Sequence, residues 1–309
     1  MAKQLFQAFN FRRDTLALIE HANAIIAAYQ AQGYTLTLRQ LYYQFVSRDL
    51  LANNQQNYNR LGETISNARL AGLIDWAAIE DRTRNLRSLA YWDSPASIMY
   101  SAAYSFRIDK WARQPNRIEC WVEKDALIGV LERVCNRHEV PYFACRGYVS
   151  QSEMYGAAER IARYIENGQD VTILHLGDHD PSGIDMTRDM IDRFELFLSG
   201  MSYGASVNVV RLALNYDQVI SYNPPPNPAK ATDSRFEDYR RTYGNESWEL
   251  DALEPAVITE LIDVNILTLR DDDLWYEAQA EERTQKATLQ AAARRWADVS
   301  AYLNNSEGA

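Results

Sequence analysis

Cysteine is scarce in this chain, with three residues in 309, and Cys120, Cys135 and Cys145 show no paired metal-binding spacing. Placed in expected strands or a helix, they point to a reduced, cytoplasmic protein rather than a disulfide framework. No apolar run is long enough for a membrane span and no signal-peptide pattern is visible, so no membrane partner is expected. Zinc-finger spacing, a P-loop and internal repeats are also missing. Positive charge is short as well: 32 Lys and Arg against 42 Asp and Glu give a net charge of −10, which at first argues against a nucleic-acid partner. The deficit is uneven. Residues 1–117 carry 14 Lys and Arg against 9 Asp and Glu, and the remainder 18 against 33. A basic front and an acidic back suit a nucleic-acid-binding region joined to a metal-binding one, because phosphate affinity depends on the local patch. An apolar content of 47 % suffices for a sizeable core.

What the chain does contain centres on Leu176-Gly177-Asp178-His179-Asp180-Pro181-Ser182-Gly183. The apolar run Val171–Leu176 reads as a buried strand, broken by Pro-Ser-Gly before a helical pattern begins. Asp178 and Asp180 therefore fall at the carboxyl end of a strand, where open α/β sheets bind ligands. Paired hard oxygen donors suit Mg2+ acting on phosphates; an Asp-rich turn is the bland alternative. Upstream, Arg117–Val122 reads as a second strand ending in Glu123, followed by a helix with Leu127, Val130, Leu131, Val134 and Cys135 at helical spacing. If the two strands are parallel neighbours, Glu123, Asp178 and Asp180 converge on one sheet edge. Glu123 then acts as general acid/base or metal ligand, or merely favours a helix N-terminus.

A glutamate ending one strand and D-x-D-x-x-G ending a later one resemble the Toprim domain over roughly residues 117–215, with the βαβ alternation completed by a strand at 206–212. Val122-Glu123-Lys124-Asp125-Ala126 most resembles the A subunit of topoisomerase VI and its double-strand-break relatives. The absence of a zinc ribbon sets the chain apart from bacterial-type primases, which share Toprim.

The N-terminal region extends this resemblance. Residues 12–31 form a helical pattern with Leu16, Ile19, Ala22 and Ile26 on one face, closed by Gly33. Thr37 and Gln40 form a capping box for a second helix. Its periodicity buries Leu38, Leu41, Tyr42 and Phe45 and displays Tyr43 beside Arg39. A third helix turns Leu61, Ile65 and Ala68 inward and leaves Arg60, Thr64, Asn67 and Arg69 outward for DNA. The pattern reads as a winged helix-turn-helix. Leu38-Arg39-Gln40-Leu41-Tyr42-Tyr43 resembles the stretch of the topoisomerase VI A subunit that carries its DNA-attacking tyrosine, the second of the pair.

The expectation is an α/β protein: a winged helix-turn-helix over residues 1–116, a Toprim-like Rossmannoid domain with a mostly parallel sheet over 117–215, and a helical extension over 216–309 packed on it. The resemblance implies that Tyr43 attacks double-stranded DNA to form a 5′-phosphotyrosyl link, with Arg39 favouring the phenolate or the phosphate. Glu123, Asp178 and Asp180 would hold Mg2+, with Asp185 a third ligand or a helix-dipole carboxylate. In the family the tyrosine of one subunit serves the metal site of the other, which implies a homodimer. With no Gly-rich ATP lid, strand passage needs a separate ATPase subunit. In a bacterial cell such a protein would be nucleoid-associated.

The chain departs from the family at Arg146–Ser152, which lacks the glycine-Pro-Asp pattern, and in its short length. Arg82, Arg84 and Arg87 line a phosphate path or form a solvated face. Tyr222–Pro228 reads as a stiff extended loop. Lys230–Arg235 reaches for phosphate or is surface, and Trp248–Leu253 reads as packing. Leu289, Ala292, Ala293, Trp296, Val299 and Leu303 form one helical stripe. Two other readings stand beside covalent cleavage: a Toprim nuclease using water, and a non-catalytic DNA-binding or assembly protein.

Overall fold

Three helices set by apolar spacing open the described chain, which comprises residues 3–79, 89–201 and 207–306 of the computed structural model. α1 (Arg13–Ala31) buries Ile19, Ala22 and Ile26 together with Leu18, Ile25 and Tyr29. Leu16, expected on that face, is exposed. The buried face centres on Ala22 and Tyr29, and at 100° per residue Leu16 lies beyond its edge. α2 (Leu38–Ser47) starts at the expected capping box: the Thr37 N–H donates to Gln40 Oε1 at 2.9 Å and the Gln40 N–H to Thr37 Oγ1 at 3.3 Å. α3 (Gln55–Leu70) turns Leu61, Ile65 and Ala68 inward as expected, but buries Thr64 too. These helices share a core with Leu36, Phe45 and Ile74. Isolated bridges join Leu5 to Ala71 and Leu36 to Ile79. Among the described residues no β-hairpin wing follows α3.

The chain then divides differently from the three-part expectation. Residues 1–84 and 118–266 form one unit; residues 85–117 and 267–309 form another. A boundary falls at 117/118, beside the expected 116/117, and none falls at 215/216; the N-terminal helices share a core with Ala252. The expected extension over 216–309 is split, its first part in the first unit and residues 267–309 in the second.

In the second unit, α4 (Pro95–Ser105) precedes Lys110 and Trp111, both buried. In the first, β1 (Asn116–Val122), α5 (Ile128–His138), β2 (Tyr142–Ala144), α6 (Gln151–Glu166), β3 (Asp170–Leu176), α7 (Pro181–Gly200) and β4 (Asn208–Ala213) alternate. Their strands make a four-stranded parallel sheet in the order β2-β1-β3-β4, a Rossmann-like core. The central strands β1 and β3 are near-continuous apolar runs because helices cover both faces. Trp121 and Ile173 pack against Ile161 of α6 and Met190 and Phe194 of α7.

After β4 come α8 (Tyr216–Tyr222), β5 (Asn227–Pro228), α9 (Phe236–Tyr243), β6 (Glu246–Ser247) and α10 (Pro255–Leu269). β5 and β6 pair antiparallel, and Trp248 bridges His179. That bridge pins the segment after β6 beside the end of β3. Tyr216, Tyr239, Tyr243 and Trp248 surround the His179 ring at centroid distances of 4.7–5.7 Å.

Within the second unit, α11 (Asp272–Arg294) packs on α4. Lys110 Nζ meets Glu282 Oε2 at 2.7 Å, and Trp111 contacts Trp275 edge-on. α12 (Trp296–Ser306) follows. The expected stripe from Leu289 to Leu303 breaks at Arg295, and of its members only Ala293 is buried. No helix among the described residues is long and apolar enough to cross a membrane.

Candidate active site

The order β2-β1-β3-β4 reverses direction between β1 and β3, so the two loops leaving these strands diverge and open a crevice at their carboxyl ends. Glu123 and the Asp178 loop occupy this point. The Glu123 N–H donates to the Leu176 carbonyl at 2.8 Å, and Glu123 Oε2 accepts from the Asp178 N–H at 2.8 Å. Burial, partly offset by that hydrogen bond, raises the Glu123 pKa.

The loop geometry explains two glycines. A Cβ on Gly183 would lie 2.3 Å from the Asp178 carbonyl oxygen, so only glycine lets α7 start this close to the strand end. A Cβ on Gly177 would press on Glu123 Oε2, His175 Cε1 and Arg211 Nη1 at 3.1–3.4 Å. Asp180 caps α7, its Oδ1 accepting from the Gly183 N–H at 2.6 Å and the Ser182 hydroxyl at 2.9 Å. The buried Arg211 donates to the carbonyls of Asp178 (2.6 Å), Gly183 (2.8 Å), Gly177 and Leu214 (both 3.2 Å), and so braces the loop from behind.

Asp178 points into a carboxylate triad with Glu249 and Asp251, whose oxygens all lie within 4.8 Å of one another. Three such hard donors are close enough to hold a metal ion. The Lys124 ammonium stands among them, 2.9 Å from both Asp178 Oδ1 and Asp251 Oδ1 and paired with Glu249. Asp178 Oδ1 also accepts from the Leu250 N–H at 2.8 Å. Burial raises the Asp178 pKa, against the pull of Lys124. For Lys124 burial works downward, but Asp251, Asp178 and Glu249 outweigh it and the net shift is up.

Arg39 closes the triad from α2, its Nε 2.8 Å from Asp251 Oδ2 and its Nη2 2.8 Å from Glu249 Oε2. Its pKa is raised: burial lowers it, while Asp251 and Glu249 raise it more. Around the crevice the carboxylates Glu123, Asp178, Asp180, Glu249 and Asp251 face the cations Lys124, Arg39 and Arg211, and the Lys124 ammonium holds the place among the triad that a metal ion would take.

Tyr43 is not displayed as expected: it is 4 % exposed, as buried as Tyr42. Both tyrosines join the helical core because α2 buries nearly its whole circumference. Their hydroxyls differ. That of Tyr42 accepts from the Asn54 N–H at 2.7 Å and donates to the Asn54 carbonyl at 3.0 Å. For Tyr43 no hydroxyl hydrogen bond occurs among the described residues; its ring meets Tyr42 and, at 5.8 Å, the Arg39 guanidinium. Burial first, then Asp251 and Glu249, push its pKa up to about 12. Tyr43 lines a cleft of about 350 Å³ together with Arg39, Asp180, Glu249, Asn54 and Lys230.

The structure thus brings Tyr43, Arg39 and Asp180 to one cleft and sets Asp178 and Glu123 beside it. It does not gather Glu123, Asp178, Asp180 and Asp185 into one donor set; of these only Asp178 belongs to the triad. Asp180 is spent on the helix cap. Asp185 accepts from the Tyr148 hydroxyl at 2.5 Å and pairs with Arg188 and Arg235. Those contacts lower its pKa although burial pulls the other way.

Arg60 is exposed and Asn67 half-buried, both compatible with a nucleic-acid face. Arg69 is not: it folds back on the Trp76 and Ile79 carbonyls and over the Trp76 ring, and burial lowers its pKa. Arg82, Arg84 and Arg87 lie outside the described residues.

Sequence reasoning missed Glu249, Asp251, Lys124 and Arg211. The first two carried a signal, a second pair of carboxylates two residues apart, hidden by Trp248, Leu250, Ala252 and Leu253. Compared with known proteins, the chain matches no protein family and no curated protein.

Proposed function

We propose that this chain cleaves DNA strands with Tyr43 as nucleophile and a divalent cation, Mg2+ by donor chemistry, held by Asp178, Glu249 and Asp251. The observation that carries the reading is the unpartnered Tyr43 hydroxyl in a cleft it shares with Arg39, Asp180 and Glu249. The phenolic oxygen forms a bond to phosphorus as the bond to the 3′ oxygen breaks, leaving a 5′-phosphotyrosyl end and a free 3′-hydroxyl. Because burial holds the phenol up to about 12, its proton needs an acceptor; with Glu249 committed to the cation, Arg39 and Lys124, water entering the cleft with the substrate takes it. Arg39 offsets charge at the phenolate or the phosphate. When bound, the cation adds Lewis-acid stabilisation of phosphate charge.

The three N-terminal helices are read as a winged-helix-type DNA reader, with Arg60 and Asn67 on its exposed side. Tyr43 and the carboxylates line one cleft of one chain, which supports a site complete in cis; a homodimer then serves to cut two strands, and any strand passage falls to a separate ATPase subunit. The raised Tyr43 pKa favours a second reading, hydrolysis by water with Tyr43 structural. Supercoiled plasmid treated with protein and Mg2+, stopped with detergent and run with and without protease, separates them. Ends freed only by protease, and lost in Tyr43→Phe, support the tyrosine; free ends retained in Tyr43→Phe support water.

A further inference from the structure

The cleft also bears on the form of DNA that can reach Tyr43. Tyr43 is 4 % exposed, and its exposed part lines the cleft, so a phosphate has to enter the cleft to reach it. A regular duplex carries its phosphates on a convex, stiff exterior and cannot lower one into a concave site. The cleft volume of about 350 Å³ is in the small-molecule range of roughly 300–1,000 Å³, enough for a single nucleotide unit and not for a base pair.

Its lining suits that occupant. Tyr42, Tyr43 and Tyr58 contribute aromatic surface, Tyr58 lying edge-on to Tyr42 at 5.4 Å. Asn53 and Asn227 line it as a hydrogen-bonded amide pair, and Gln55, whose N–H group donates to Asn59 at 2.8 Å, keeps its amide oxygen as an acceptor for a base edge. The N-terminus of α3, with no acidic residue in its first turn, opens on the cleft alongside Lys230, and both attract a phosphate. Tyr43, whose hydroxyl makes no hydrogen bond among the described residues, lines the same cleft.

Resting on the proposed DNA-cleaving function, we infer that the cleft takes one unstacked nucleotide of an unpaired strand, so that the substrate is single-stranded DNA or a duplex opened at the cleavage site. An enzyme that works on a nucleotide outside the stack selects sites where unpairing is already made. Aromatic faces and amide edges hold the base while the flanking phosphate meets Tyr43.

The test measures binding of the full-length protein, in EDTA so that no cleavage intervenes, to three fluorescent DNA probes of about 20 nucleotides, a length that covers typical single-strand sites. The probes are a single strand, the matched duplex, and the same duplex with a central unpaired bubble containing 2-aminopurine. The single strand and bubble are expected to bind roughly tenfold more tightly than the duplex, the equivalent of one base–aromatic stack. 2-Aminopurine fluorescence should change on binding. Tyr58→Ala should erase the preference; Gln55→Ala, on the exposed rim, should reduce it without endangering the fold. Equal or tighter duplex binding with unchanged 2-aminopurine fluorescence overturns the inference and leaves DNA recognition standing. Failure to bind any of the three probes overturns the DNA reading itself.

Discussion

Two pairs of carboxylates at the same spacing meet at this site and are used differently. Asp178 and Asp180 follow β3, and Glu249 and Asp251 follow β6. The first pair is divided: Asp178 enters the triad while Asp180 caps α7. The second pair stays together, both members facing Lys124 and Arg39. Local chain direction makes the difference. A helix starts at once after Asp180 and claims its oxygen for the orphan N–H groups. After β6 the chain runs extended into a short turn, with Leu250 buried between two acidic neighbours. Equal spacing in sequence therefore does not mean equal duty, because the nearest unsatisfied backbone donors take a carboxylate first.

The largest expected effect contrasts the adjacent tyrosines. Tyr43→Phe should abolish protein-linked DNA ends, while Tyr42→Phe should keep them and lose only about 1 kcal/mol of stability for its hydrogen bonds. Gel analysis with and without protease, and denaturant melts, read the two. Comparable loss of linked ends in both variants would undo the distinction drawn from their hydroxyls.

The second contrast sets the carboxylate pairs against each other. Asp251→Asn and Asp178→Asn should each lower the cleavage rate by about 10²-fold or more, in the range of lost acid–base or metal-linked groups. Asp180→Asn, whose amide oxygen still caps α7, should lose less. Full activity in Asp251→Asn would remove the second pair from the site. Initial rates on nicked-product gels suffice.

A third comparison concerns the cation among the carboxylates. Lys124→Met leaves Asp178, Glu249 and Asp251 with Arg39 alone, and uncompensated buried charge costs about 3–5 kcal/mol. Thermal melts with increasing MgCl2 should then show a larger rise in Tm for the variant than for the unaltered protein, because the metal replaces the missing ammonium. An equal rise in both would mean that the triad does not take Mg2+.

The smallest effect separates two arginines of α3. Arg60→Ala should weaken DNA binding with stability unchanged, and Arg69→Ala should lower stability by about 1–3 kcal/mol, since it leaves the carbonyls of Trp76 and Ile79 without their donor. Binding titrations and melts on both variants would show whether α3 faces DNA through Arg60.

Much of the scaffold was legible. Alternating apolar runs and caps gave α1, α2 and α3, the Thr37–Gln40 capping box and the parallel strands, since these depend on neighbours a few residues away. The joining of residues 85–117 with 267–309 was not, because it depends on contacts such as Lys110 with Glu282, distant in sequence. The burial of Tyr43 escaped periodicity for the same reason. A helix wheel states which residues share a side, and it cannot know that a second surface, around Glu249 and Asp251, will cover the opposite side of α2.

By itself the sequence determined that Glu123 and Asp178 stand at strand ends and that a helix starts at Pro181-Ser182-Gly183, because strand termini and helix starts are written in local residue chemistry. Only the tertiary structure decided which carboxylates share a cation. That choice depends on the order β2-β1-β3-β4 and on the bridge from His179 to Trp248, which carries Glu249 and Asp251 across some seventy positions of chain to Asp178. Electrostatic partnership follows distance in space, and folding alone sets that distance.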